Sequence, residues 1–248
     1  MGARATVDDL RVVQTGKAER ELLTESIAEL AGDRPLRVLE AGCGQQWPIE
    51  IGGVDFHITG VDLDVDAMRI RRERHDDLDV EIVGDLRTVD LPAETFDVVY
   101  CSYVLEHIEG AEAVLDRLVA ATRPGGRLVI RIPDGKSIYG FLVRHSPHRM
   151  HVWYKRYVEG FRDAGKPGHA PYPTVYDSVV SLPGLLRYAD ERGLEVVNLV
   201  ASNAFVQNFG PLKNVMSGAM RAAARLTGGR LRGTHNNLGV VLARPAAG

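Results

Sequence analysis

The stretch VLEAGCGQQWPIEIGGVDFHITGVDLD, Val38–Asp64, decides the fold. It opens with an apolar run, turns on Gly42-Cys43-Gly44, and closes on a second apolar run that ends at Asp62. Short apolar runs of this kind suit buried parallel strands. The glycine turn then sits at a strand's carboxyl end, where open α/β sheets bind ligands. Glycine lets a ligand approach backbone that a Cβ would shield. Asp62, twenty residues after Gly42, can accept hydrogen bonds from both hydroxyls of a ribose. A dinucleotide would need a third glycine where Trp47 and then Pro48 stand, because its pyrophosphate rests on a helix N-terminus. Glu40, just before the turn, would repel a pyrophosphate and suit a cationic ligand. NAD and FAD are therefore disfavoured. Trp47 either covers part of the pocket or packs in the core.

Outward from this stretch, residues 6–31 read as helix, interrupted near Gly16. Residues 36–41, 56–63, 79–85, 96–105, 127–133, 194–202 and 238–244 read as strands. Amphipathic or charged helices fall at 66–74, 112–126, 183–192 and 211–226. Alternating strands and helices predict an α/β, doubly wound, mostly parallel sheet. The organisation expected is a helical cap over 1–35, a core over 36–133 and an insertion over 134–182. Residues 183–248 then complete the sheet.

With 248 residues, 45% hydrophobic and 25% charged, the chain can bury a sizeable core. No apolar leader or run of membrane-spanning length appears. Cys43 and Cys101 lie in apolar runs and read as reduced thiols, which fits a cytoplasmic location. No zinc-like spacing occurs, and no metal is expected. The formal charge is −3, spread unevenly: residues 1–132 hold 15 basic and 26 acidic side chains, residues 133–248 hold 15 and 7, and none is acidic after Glu195. The basic half either packs on the acidic one or faces something anionic. Nucleic acid is not expected, because the total charge is negative and no basic module stands out.

Taken in order, VLEAGCG, GVDLD, GDL, FDVVYCSYVLEHI and RPGGRLVIRIP resemble the class I S-adenosylmethionine-dependent methyltransferases, in particular the broad type 11 family. The resemblance covers about residues 36–133. It implies a Rossmann-like seven-stranded sheet with an antiparallel last strand. It also implies S-adenosylmethionine as cofactor, with Glu40, Gly42, Cys43 and Gly44 along the methionine portion. Asp62 would hold the ribose with Leu63 beside the adenine, and Asp85 and Leu86 would meet the adenine amine. Cys101, Ser102 and Tyr103 would end the fourth core strand near the sulfonium. Glu106 and His107 match the family's LEHI. Bracing the following helix is the first reading of that pair, and His107 as a base is the second.

Methyl transfer to a hydroxyl needs alignment and a group to take the proton, for which histidine has a suitable pKa. The insertion supplies His145, His148 and His151 as catalytic candidates. Tyr103, Arg149, Trp153, Tyr154 and Tyr157 are the acceptor-site candidates, aromatic faces with polar edges suiting sugars or aromatic rings. The expected function is O-methylation of a small biosynthetic acceptor, with carbohydrates or glycosides first. Phenolic or polyketide-like products, a lipid-linked acceptor and a non-catalytic cofactor-binding role are the alternatives. Helix 211–226 has an apolar face of Leu212, Val215, Met216, Ala219, Met220 and Ala223, expected to be buried in a homodimer or a lid. Its alanine content makes a membrane the least expected partner.

Overall fold

The structure, a computed structural model, describes residues 6–157 and 159–246. Eight strands form one sheet: β1 (Arg11–Val13), β2 (Leu36–Ala41), β3 (Phe56–Asp62), β4 (Val80–Val83), β5 (Phe96–Ser102), β6 (Thr122–Pro133), β7 (Glu195–Ser202) and β8 (Asn237–Ala243). Their order is β1-β7-β8-β6-β5-β2-β3-β4. β8 runs antiparallel to both its neighbours, and every other pairing is parallel. The doubly wound sheet and the antiparallel last strand are as expected. The strand count is eight, not seven.

The extra strand comes from the stretch read as a helical cap. Arg11–Val13 pairs with Val200–Ser202 at the sheet edge. A free edge offers unpaired backbone groups, and pairing with them outweighs a weak local helical pattern. The interruption at Gly16 is a helix start. Thr15 accepts the Ala18 N–H and opens α1 (Gly16–Ala28), as N-cap threonines do.

Seven further α-helices follow among the described residues: α2 (Val65–Arg74), α3 (Ala111–Ala121), α4 (Ile138–His145), α5 (His148–Tyr157), α6 (Leu182–Glu191), α7 (Ala204–Gln207) and α8 (Lys213–Leu226). One core face gathers Leu39, Val99, Leu115, Leu118, Ile130 and Leu185 among others. The other includes Leu23, Ile27, Val38, Tyr100 and Val129. α4, α7 and α8 share a small separate cluster of Ile138, Val206, Met220 and Ala224.

Burial inside the core requires paired charges, as three of the buried groups show. Arg71 donates to Glu40 at 2.7 Å and to Asp77 at 2.7 Å. Asp97 accepts from Arg34 at 2.8 Å and from the Arg37 N–H at 2.8 Å, and pairs with Arg123. Arg131 donates to Glu19 at 2.9 Å, and Glu19 also accepts from the Ser202 hydroxyl.

Candidate active site

The parallel strands β2, β3, β4, β5 and β6 all end on one edge, and the candidate residues follow those ends. At the end of β2, the Gly42 and Cys43 N–H groups donate to the Val61 carbonyl at 2.8 and 3.1 Å. Gly42 has φ of 75° and Gly44 of 55°, which favours glycine. A Cβ on Gly42 would overlap the Val104 side chain, whereas one on Gly44 would meet open space. Gly42 therefore serves packing, and Gly44 leaves room for a ligand.

Asp62 sits half-buried at the end of β3. Its carboxylate accepts the Gly44 N–H at 2.8 Å and the Asp64 N–H at 2.8 Å. It thus ties the glycine turn to the next strand end, and each oxygen retains a lone pair for a ligand hydroxyl. Leu63 beside it is 62% exposed. Asp85, at the end of β4, accepts from Arg87 at 2.6 Å. That guanidinium holds its carboxyl below the usual carboxylate range.

Several expected contacts lie elsewhere. Glu40 is buried under the turn against Arg71, so it does not face a ligand directly. Burial pushes its carboxyl up to about 8 against the pull of the Arg71 guanidinium. The same Arg71 donates to the Cys43 carbonyl at 2.8 Å, and burial raises the Cys43 thiol to about 12. Leu86 and Cys101 are core side chains. Burial raises the Cys101 thiol as well. Ser102 and Tyr103 accept from Arg131, each at 3.3 Å, so Arg131 holds the end of β5. Trp47 packs edge-on to Phe56 and Tyr100, with ring centroids 5.7 and 5.2 Å away, and belongs to the core.

A strap, residues 159–176, crosses this edge. Gln45 donates to the Gly168 carbonyl, and the Tyr172 hydroxyl donates to Asp64 at 2.7 Å. His107 Nδ1 is 2.6 Å from the Pro173 carbonyl, and the Val175 N–H donates to the Glu106 carbonyl at 2.7 Å. Asp177 then accepts the Gly110 and Ala111 N–H groups at 2.7 and 2.9 Å. An open cleft of about 640 Å³ lies between Gly44, Gln45 and Ala67 on one side and Lys155, Phe161, Arg162 and Tyr172 on the other.

His107 has the geometry of a base. A carbonyl only accepts, so its Nδ1 carries the proton and Nε2 keeps its lone pair. Burial lowers its pKa against the pull of the Pro173 hydrogen bond, and nearby His148 adds to the lowering. Glu106 is buried, with Oε2 lacking a hydrogen-bond partner, and burial pushes its carboxyl up to about 8.

None of the three histidines placed first from sequence lines the cleft; nor does His107, whose ring meets the cleft-lining Tyr172 edge-on with centroids 5.9 Å apart. His145 Nδ1 meets the Phe141 carbonyl at 2.8 Å, His151 Nε2 meets Ser146 Oγ at 2.7 Å, and His148 is exposed at the start of α5. Arg149, Trp153 and Tyr157 point to solvent, and Tyr154 lies against Phe205. Asp134 is held by His235 at 2.9 Å. Burial opposes its ionisation, yet that hydrogen bond and the Lys136 N–H keep its carboxyl below the usual range. Sequence reading missed Arg71, Gln45 and Asp64, while Tyr172 is one of the insertion's aromatic side chains whose flat faces suit an acceptor ring. Only Arg71 left a signal, since it follows Ala67 by four and Met68 by three on the buried face of α2.

The strand-end glycine turn, the carboxylate that braces it and the strap over both define a nucleoside-binding α/β enzyme. Residues 16–199 match the family described as methyltransferase domain, and the chain belongs to that family. It is a class I S-adenosylmethionine-dependent methyltransferase. It is 24% identical over 181 residues to a demethylmenaquinone methyltransferase of Listeria monocytogenes, covering 66% of this chain and 72% of that one. It is 31% identical over 170 residues to phosphoethanolamine N-methyltransferase 1 of Arabidopsis thaliana, covering 62% of this chain and 33% of that one. Its fold is similar to that of the N-methyltransferase NodS of Bradyrhizobium japonicum, solved with S-adenosyl-L-homocysteine. There the TM-score is 0.52 at 15% identity, over 91% of this chain and 87% of that chain.

Proposed function

We propose that the enzyme methylates a hydroxyl oxygen of a small biosynthetic acceptor, with His107 taking the proton. The observation that carries this reading is the His107 ring. Its Nδ1 is fixed on the Pro173 carbonyl, which leaves Nε2 as an acceptor in a site where burial keeps the ring neutral. A neutral imidazole can remove a hydroxyl proton as the oxygen attacks.

S-adenosylmethionine, when bound, supplies an electrophilic methyl on a sulfonium. Asp62 would accept from its ribose hydroxyls, Gly44 would leave room for its methionine portion, and Leu63 would cover one face of its adenine. Asp85 would accept from the adenine amine through a lone pair not used by Arg87. Glu40 acts through Arg71, which braces the Cys43 carbonyl and hence the turn. The strap anchors, Gln45 and Tyr172, keep water from the reacting atoms.

Carbohydrate or glycoside acceptors remain the first class. Phe161 and Tyr172 offer flat faces, and Lys155, Arg162 and Arg74 offer donors around the same cleft. A second reading, a phenolic or quinone-like ring acceptor, is favoured by the relative named for demethylmenaquinone. Release of S-adenosylhomocysteine with panels of glycosides, phenols and amines tests both. Turnover is expected with a hydroxyl acceptor and should collapse in His107→Ala. Turnover confined to amines overturns the reading.

A further inference from the structure

Two stretches of the chain contain no Asp or Glu, residues 135–158 and 196–248. The fold brings their helices together. Ile138 of α4, Val206 of α7, and Met220 and Ala224 of α8 bury one another. The Phe205 ring lies 4.5 Å from Tyr139 and 6.4 Å from Tyr154 of α5, centroid to centroid. The result is one helical layer outside the sheet's core, and every formal charge on its helices is basic.

The outside of this layer is apolar in stripes. α8 turns Met216, Met220, Ala223 and Ala224 inward. A second row begins one residue ahead of α8 and runs along it: Leu212, Val215, Ala219, Ala222 and Leu226, at spacings of three and four. All five are exposed, Val215 at 69% and Leu226 at 90%. The expected single buried face is thus split, with Leu212, Val215 and Ala219 left outside. α5 repeats the pattern with Met150, Trp153 and Tyr157, positions i, i+3 and i+7, each at least 58% exposed. Between and beside these stripes stand Arg144, Arg149, Lys213, Arg221, Arg225 and Arg230, all exposed and without an ion pair among the described residues.

We infer that this layer docks the protein on an anionic lipid surface, lying in the interface plane. Exposed apolar stripes flanked by Lys and Arg, with Trp and Tyr among them, are what such a surface binds. Each basic side chain held near anionic headgroups raises the partition roughly fivefold. The charge selects this occupant over a second copy meeting face to face, which would set like charges together with no acid between them. No helix among the described residues is long and apolar enough to cross a membrane, and docking does not require one. The alanines of α8 weaken deep insertion without preventing surface contact.

The inference does not depend on the acceptor and is tested without it. The full chain is centrifuged with vesicles of phosphatidylglycerol and phosphatidylcholine in equal parts, and with phosphatidylcholine alone. Pelleting with the mixed vesicles only, and release by salt, is expected. Tryptophan emission should shift to the blue on binding. Trp153→Phe should abolish that shift, because Trp47 is already in the core. The double variant Val215→Asp, Leu226→Asp should lower the partition by about tenfold or more, with circular dichroism and melting midpoint unchanged. Failure to pellet, or equal pelleting with both compositions, overturns the inference. So does a dimer in light scattering that the double variant splits, since the layer would then be a self-interface.

Discussion

The sheet's ligand edge and the outer helical layer treat charge in opposite ways. Charges in the sheet's core are buried and paired: Glu40 with Arg71 and Glu19 with Arg131 towards the ligand edge, and Asp97 with Arg34 and Arg123 at the opposite edge. In the layer of α4, α5, α7 and α8, the charges are of one sign, most are exposed and without an ion pair among the described residues, and apolar side chains stand beside them. The first region satisfies itself and so fixes a geometry. The second leaves both its apolar area and its charge to be satisfied from outside. Positional accuracy serves chemistry at the edge. An unpaired apolar and basic face serves contact with a partner.

If the edge is the chemical half, the largest effect belongs to His107. His107→Ala should lower turnover by roughly 10²–10⁴-fold while leaving cofactor affinity in place. The alanine variants of His145, His148 and His151 should keep turnover within a few-fold. Loss with any of these three and not with His107 would move the chemistry to the outer layer and break the contrast.

Glu40→Gln leaves the buried Arg71 with the half-exposed Asp77 as its one carboxylate and the Cys43 carbonyl beside it. Breaking a buried pair costs about 3–5 kcal/mol. Urea denaturation should report a loss of that order, together with weaker cofactor binding through the turn. A loss under about 1 kcal/mol, the range of exposed pairs, would show that the edge tolerates unpaired charge as the outer layer does.

Asp62→Ala should raise the cofactor dissociation constant by roughly 10–150-fold, the effect of about 1.5–3 kcal/mol for a charge-assisted hydrogen bond. Titration calorimetry measures it. Because Asp62 also holds the Gly44 and Asp64 N–H groups, Asp62→Asn, which keeps an acceptor, should recover part of the affinity.

Two pH dependences sharpen the contrast. Burial opposes the ionisation of Asp97, but the Arg34, Arg37 N–H and Arg123 hydrogen bonds prevail and hold its carboxyl down to about 2. A depressed carboxylate contributes stability above its unfolded pKa of about 3.9 and loses it as pH falls through the folded value. Melting midpoints should therefore drop between about pH 4 and pH 2, and Asp97→Asn should flatten that slope. His107 works as a base only when neutral. With its pKa below the usual range, turnover should hold level down to about pH 6.5 and fall only further into acid. The smallest effect belongs to the outer layer, where Val215→Asp should change stability by no more than about 0.5 kcal/mol.

Much of this molecule is set by its own sequence. Apolar runs buried on both faces, such as Val38–Ala41 and Val98–Cys101, can only be central strands. Gly42 and Gly44 carry positive φ that other residues resist, and Asp62 ends a strand where a ligand would lie. These are local requirements, so they are legible one residue at a time. The tertiary structure decided the rest. Arg11–Val13 became a strand because β7 left an edge to pair with. Glu40 is buried against Arg71, and Cys101 lies in the core. His107 has its tautomer fixed by the strap's Pro173 carbonyl, 66 residues away in sequence, whereas His145 and His151 meet partners only a few residues away. The α8 face split in two because α4 and α7 cover only one side of it. Each of these outcomes rests on a partner distant in the chain, and pairing energy between distant segments is set by the fold rather than by the neighbours in sequence.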